Sequence, residues 1–160
     1  MSSLFRQFWE WYERHKTPTT LLTTGLFFLQ IIHLTWLTLH VVCMRIFGVS
    51  FWQLNEIFQT LIIVVDYTEI PALIGTTLLY ASDFRKKFDW KTVLFLFFLN
   101  SQWLHLFWIT DEFVIRQFMG TPVIGLPVWL AWVAIAIDYL EVPIIIDTVR
   151  RSYRIVMKKK

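Results

Sequence analysis

The stretch DYTEIP, residues 66–71, places the carboxylates of Asp66 and Glu69 inside a run of otherwise apolar residues. It recurs 72 residues later as DYLEVP, residues 138–143, which carries Asp138 and Glu141 between apolar neighbours. A charged side chain in the middle of a membrane span is costly unless it is paired, protonated or bound to a cation. The two stretches therefore indicate a functional site within a membrane.

Other residues repeat at the same spacing as the two acidic stretches. His33 and His105 are 72 residues apart, and no insertion or deletion separates them from the acids. The same offset relates Gln30 to Gln102, Trp36 to Trp108, Thr38 to Thr110 and Gly48 to Gly120. This self-similarity predicts a two-helix unit written twice in tandem.

Composition predicts an all-α integral membrane protein. The chain has 160 residues, of which 56% are hydrophobic, and its mean hydropathy is +0.54. Four windows are long enough to cross a hydrocarbon core of roughly 30 Å: residues 21–44, 54–81, 92–110 and 127–149. Because each repeat contributes two spans, we expect a four-helix bundle with a pseudo-twofold axis along the membrane normal.

One membrane domain, residues 1–160, accounts for the whole chain. Residues 1–20 predict an amphipathic helix in the membrane interface, which the segment Thr17 to Thr20 with its proline separates from the first span. Repeat 1 covers residues 21–81, repeat 2 covers 92–149, and a basic tail follows at 150–160.

The distribution of positive charge predicts the orientation. Of the 15 lysines and arginines, all but Arg45 and Arg116 fall at the termini or in the loop between the second and third spans. Both termini are therefore expected in the cytoplasm. The net charge of +3 fits a basic face against anionic lipid, and it requires no nucleic-acid partner.

The two histidines and four acids predict a metal centre. Each is about halfway along its span, and the acids of each pair are three residues apart, so each pair projects from one helical face. Four clustered carboxylates need cations, and two divalent metal ions would provide them. We expect one half-site of His33, Asp66 and Glu69 and a second of His105, Asp138 and Glu141, with Glu69 and Glu141 as bridges. Iron is favoured, whereas zinc and manganese accept the same ligands.

A second layer of polar residues surrounds this centre. His40 and Glu112 lie seven residues beyond His33 and His105 and are candidates for proton or substrate transfer. Tyr67 and Tyr139 are candidates for redox-active or hydrogen-bonding roles, or for simple packing. Pro71 and Pro143 predict a kink after each acid pair. Asp111 and Arg116, in contrast, are expected to be solvated near the external surface.

These observations favour a membrane oxidoreductase that acts on a lipophilic small molecule or quinol. One alternative is a metal-free acid/base isomerase or a lipid-binding protein, and another is a path for protons or cations. Haem held between His33 and His105 would leave the four acids unexplained. The sequence gives no indication of a protein partner.

A family resemblance supports the lipid-binding alternative. The features that carry it are Gly25 to Leu29 in the first span, Pro71 after a mid-span acid, Tyr139-Leu140 before Pro143, and a polylysine end. In these features the chain resembles the four-span family of the sigma-2 receptor and the emopamil-binding sterol isomerase. The resemblance implies a lipid-accessible pocket in which carboxylates and histidines hold or convert a sterol-like molecule.

Overall fold

The computed structural model describes residues 3–125, 127 and 129–158, except for the side chains of Glu56, Phe113 and Gln117. Within these residues all regular structure is helical, and no strand is present. The helices form four rods in chain order. The all-α class predicted from the composition is therefore confirmed.

Rods 1 and 3 are built alike. Rod 1 consists of α1 Ser3–Trp36, a π-helical segment Leu37–Val42 and α2 Cys43–Phe47, and rod 3 of α3 Trp90–Ile109, a π-helical segment Thr110–Ile115 and α4 Arg116–Met119. Each ends at a glycine in the left-handed region, Gly48 at φ 70° and Gly120 at φ 78°. Glycine reaches this conformation without a Cβ clash, so it stops both rods.

Rods 2 and 4 are both interrupted between the two acids of their repeat. Rod 2 consists of α5 Glu56–Tyr67 and α6 Glu69–Lys86, and rod 4 of α7 Leu130–Tyr139 and α8 Val142–Met157. A proline within an α-helix lacks an N–H group and clashes with the carbonyl four residues earlier. Pro71 and Pro143 follow the two interruptions, so the discontinuity predicted at both prolines is present.

The packing places rods 1 and 3 at opposite corners of the bundle. Helix α1 packs against α5, α6 and α8, whereas α3 packs against α5, α6, α7 and α8. Rods 1 and 3 therefore each contact both rods 2 and 4. The core between them includes Phe27, Leu73 and Ile144, which are fully buried.

The break predicted at Thr17 to Thr20 is wrong, because α1 runs through Pro18 without interruption. The hydroxyls of Thr19 and Thr20 do not cap a new helix. They donate to the carbonyls of His15 and Lys16, four residues earlier, at 2.9 and 2.8 Å. Ion pairs also hold the first turns against rod 2, with Lys86 Nζ 2.7 Å from Glu13 Oε2. The N-terminal segment is thus a rigid extension of the first rod.

Three helical stretches are long and apolar enough to cross a membrane: Ser3–Phe47, Ile57–Lys86 and Trp90–Glu112. Large apolar side chains such as Phe28 and Phe97 are exposed on their outer faces, as contact with lipid requires. Rod 4 is not among the three, since its turn divides it into helices of 10 and 16 residues. The fourth predicted span, residues 127–149, remains a prediction.

Candidate metal centre

The structure brings together the six side chains predicted to bind metal. They are His33, Asp66, Glu69, His105, Asp138 and Glu141, and each is between 3% and 7% exposed. Helices rarely bury so many ionisable groups unless they are paired or coordinate metals. The cluster is therefore the principal candidate for a functional site.

The interruptions in rods 2 and 4 position the acids. Asp66 and Asp138 lie in the last turn of α5 and α7, whereas Glu69 opens α6 and Glu141 immediately precedes α8. The Thr68 N–H bonds the carbonyl of Val65 at 2.9 Å, which tightens the last turn of α5. Both acids of each repeat are thus buried beside the histidines of rods 1 and 3.

The histidines contact the aspartates in a pattern that crosses the two predicted half-sites. His33 Nδ1 pairs with Asp66 Oδ1, and its Nε2 lies 3.8 Å from Asp138 Oδ2. His105 Nδ1 lies 2.9 Å from Asp138 Oδ1. The imidazole centroids of the two histidines are 6.3 Å apart. His33 therefore faces aspartates of both repeats, so the predicted division into two separate half-sites is wrong.

Ligand atoms of His33, Asp66 and His105 lie within 4.8 Å of one another. Each of these residues offers one nitrogen or oxygen donor, and such donors suit iron, zinc or manganese. Three protein ligands with a further open position are typical of catalytic metal sites. The arrangement can therefore hold one metal ion.

The glutamates extend the cluster beyond that trio. The carboxyl groups of Glu69 and Glu141 lie in hydrogen-bonding proximity, although they come from different rods. Among the described residues, the buried Oε1 atoms of both glutamates and Oδ2 of Asp138 have no hydrogen-bond partner. A buried acceptor without a partner costs about 1–3 kcal/mol. A second cation bridged by the glutamates would satisfy these oxygens.

Two glutamines support the cluster from behind, in matching positions. Gln30 Nε2 donates to the carbonyl of Val65 at 3.0 Å, and Gln102 Nε2 donates to that of Ile137 at 2.8 Å. Each carbonyl belongs to the residue just before an aspartate of the cluster. The glutamines thus fix the backbone that carries Asp66 and Asp138.

Two tyrosines tie the repeats together rather than pointing at the histidines. Tyr67 Oη lies 2.8 Å from Thr110 Oγ1, and Tyr139 Oη lies 2.6 Å from Thr38 Oγ1. Each tyrosine therefore reaches a threonine of the other predicted repeat. These contacts favour the packing and hydrogen-bonding roles of the tyrosines over direct contact with the cluster.

The outer candidates lie in the π-helical segments. His40 Nδ1 is 2.6 Å from Ser50 Oγ, and its ring stacks on Trp36 at 5.2 Å between centroids. Glu112 is partly buried in the corresponding segment of rod 3. His40 is thus attached to the loop after rod 1. Its predicted role in transfer remains a prediction, as does that of Glu112.

The structure corrects the expectation for Asp111 but not that for Arg116. Asp111 is buried, and its carboxylate accepts hydrogen bonds from the N–H groups of Val123 and Ile124 at 2.9 and 3.1 Å. Arg116 is exposed, as predicted. Loop N–H groups need acceptors when they are buried. Sequence spacing alone does not reveal that this loop folds back onto Asp111.

Searches against protein families, curated proteins and solved structures find no match for this chain. The resemblance to the sigma-2 receptor and sterol isomerase family therefore stays a prediction. The function has to be argued from the geometry of the cluster.

Proposed function

We propose that this protein is a membrane-embedded dinuclear metal protein, and that it oxidises or reduces a lipophilic substrate such as a quinol. One observation carries the proposal: two histidines and four acids, all buried, meet between helices of membrane-spanning length. The acids outnumber the histidines two to one. Two divalent cations would complete the charge that the histidines leave uncompensated.

The proposed architecture is a four-span bundle of two tandem repeats with both termini in the cytoplasm. Its support comes from contacts that recur at the offset of 72 residues. Gln30 and Gln102 bond equivalent carbonyls, and Tyr67 and Tyr139 bond equivalent threonines. A pseudo-twofold axis would exchange rod 1 with rod 3 and rod 2 with rod 4, in agreement with their diagonal packing.

In this proposal His33, Asp66 and His105 hold the first ion, and Glu69 and Glu141 bridge it to a second beside Asp138. Iron is the favoured metal, because its two common oxidation states supply electron transfer when it is bound. The carboxylates accept the protons that a quinol releases on oxidation. Gln30 and Gln102 keep the aspartates in place by holding the backbone beside them.

A metal-free acid/base function is the second candidate, and the histidine–aspartate pairs favour it. His33 with Asp66 and His105 with Asp138 already form ion pairs without a metal. Such pairs can transfer protons to and from a bound lipid, as an isomerase requires. The two functions differ in whether metal is needed.

Elemental analysis of protein purified without chelator and equilibrated with ferrous iron tests the proposal. We expect about two metal ions per chain in the wild type, as in di-iron bundles, and almost none in Glu69→Gln/Glu141→Gln. Asp111→Asn, which removes a buried carboxylate bonded to loop N–H groups, should keep its metal. A wild type without stoichiometric iron, manganese or zinc would overturn the metal proposal in favour of the acid/base function.

A further inference from the structure

A pocket lined mainly by cations lies where the end of α8 meets the start of α3. Its volume is about 330 Å³, and it is lined by Lys91, Asp147, Arg150, Arg151 and Arg154. Four of these five side chains are positively charged at neutral pH. The pocket is distinct from the metal centre, since none of the six clustered residues lines it.

The only lining carboxylate is already engaged by two of the cations. Asp147 Oδ1 lies 2.8 Å from Lys91 Nζ, and Asp147 Oδ2 lies 2.6 Å from Arg151 Nε. The hydroxyl of Tyr80 also donates to Asp147 at 3.1 Å. Arg151 Nη1 forms a second ion pair with Asp83 at 2.5 Å. Lys91 and Arg151 are thereby held in place at the wall of the pocket.

Arg150 and Arg154 have no anionic partner among the residues that the structure describes. They are four residues apart on α8, so their side chains share one helical face. Two guanidinium groups in one pocket suit an oxygen-rich anion, because their N–H groups match phosphate geometry. The charge balance of the pocket therefore calls for an added anion.

Exposed apolar side chains continue from the pocket along the same helices. Leu94 lies three residues after Lys91 on α3, and Ile146 lies four residues before Arg150 on α8. Leu94 is 48% exposed and Ile146 is 45% exposed. This apolar track runs from the basic pocket toward the middle of the bundle, as the acyl chains of a lipid would require.

We propose that this pocket binds the phosphate headgroup of an anionic phospholipid, with the acyl chains lying along Leu94 and Ile146. Basic pockets between membrane helices on the cytoplasmic side commonly hold such headgroups. The lipid would bridge rods 3 and 4. This inference depends on the membrane location of the chain but not on the presence of metal.

Native mass spectrometry of the detergent-purified full chain with added phosphatidylglycerol tests the inference, with phosphatidylcholine as the zwitterionic reference. We expect the wild type to bind one phosphatidylglycerol preferentially. Arg150→Gln/Arg154→Gln should weaken this binding roughly 30-fold, from about fivefold per arginine near the membrane surface. Lys87→Gln/Lys158→Gln removes the same charge outside the pocket and should bind as the wild type does.

Three results would overturn the inference. They are equal binding of the two lipids by the wild type, equal losses in both double variants, and displacement of the lipid by millimolar inorganic phosphate. The last would identify a site for soluble phosphate instead. Circular dichroism should show unchanged helix content in Arg150→Gln/Arg154→Gln, since neither side chain forms an ion pair in the fold.

Discussion

The bundle contains two clusters of charged residues that differ in how their charge is balanced. At its basic end, Asp83 pairs with Lys16 at 2.7 Å and with Arg151 at 2.5 Å, and Asp147 pairs with Arg151 and Lys91. At its centre, four carboxylates face two imidazoles and no lysine or arginine. The basic end is completed by its own side chains, whereas the centre is not.

The comparison separates a structural role from a functional one. Burial lowers the pKa of Arg151, but its hydrogen bonds to Asp147 and Asp83 outweigh burial and hold that pKa above the usual range. Arg151 thus stays charged and joins rods 2 and 4. The central acids lack such a partner and retain unpaired oxygens. An incomplete cluster of this kind is expected where a ligand supplies the missing charge.

The largest expected effect is on metal binding at the centre. Asp138→Asn changes the one residue that both histidines approach. We expect metal affinity to fall at least about 100-fold, because even residues that only orient ligands are worth 10- to 100-fold. Competition with a coloured chelator measures this change.

Asp147→Asn is the matched control for that prediction, since it neutralises an acid of the basic end. It should lower stability while leaving metal affinity within about twofold of the wild type. Equal losses of affinity in the two variants would show that metal binding depends on overall charge or folding, and the contrast between the clusters would disappear.

Arg151→Gln should produce the largest loss of stability at the basic end. It leaves the carboxylates of Asp83 and Asp147 without their shared cation. Breaking a fully buried pair costs roughly 3–5 kcal/mol, but the Arg151 side chain is 31% exposed, so we expect about 2 kcal/mol. Thermal unfolding in detergent measures the change. The neighbouring variant Arg150→Gln should unfold like the wild type, and an equal loss there would refute the structural role of the ion pairs.

A smaller effect is expected where rods 1 and 2 approach most closely. A Cβ added at Gly75 would lie 2.4 Å from Thr23 Cγ2, whereas one at Gly25 would meet nothing within 4 Å. Thr23 cannot turn away freely, because its hydroxyl donates to the carbonyl of Thr20. Gly75→Ala should therefore cost about 1–3 kcal/mol, and Gly25→Ala should stabilise by up to about 1 kcal/mol. Similar unfolding temperatures for the two variants would argue against this packing of rods 1 and 2.

The smallest effect concerns the tyrosines that link the repeats. Tyr67→Phe and Tyr139→Phe each remove one hydrogen bond to a threonine, at a cost of about 1 kcal/mol. We expect the two variants to lose similar stability and to keep full metal content. Loss of metal in either would return that tyrosine to the set of candidate ligands.

The members of the central site could be predicted from sequence, because charge inside an apolar run is rare and its repetition at a fixed spacing is rarer. Asp66, Glu69, Asp138 and Glu141 stand out on this ground, and His33 and His105 follow from the same offset. Their pairing could not be predicted. Spacing gives the face of one helix, whereas the contact of His33 with both aspartates depends on how the rods lie across the bundle.

The fold shows the same division between local and long-range information. Pro71 and Pro143 act on the carbonyl four residues earlier, and the predicted discontinuities occur beside both. Pro18 follows the same local rule, yet α1 continues through it, because Lys16 and Tyr12 hold the helix against its neighbours. Asp111 is likewise buried by a loop that is distant in sequence. Tertiary packing decides these cases.

X-ray absorption at the metal edge of the iron-loaded protein, measured beside His105→Ala, tests the central claim most directly. The account predicts a first shell of nitrogen and oxygen only, with outer-shell scattering from imidazole that falls by about half in His105→Ala. An iron-loaded wild type without imidazole scattering, or a signal that His105→Ala leaves unchanged, would contradict the assignment of the metal to this centre.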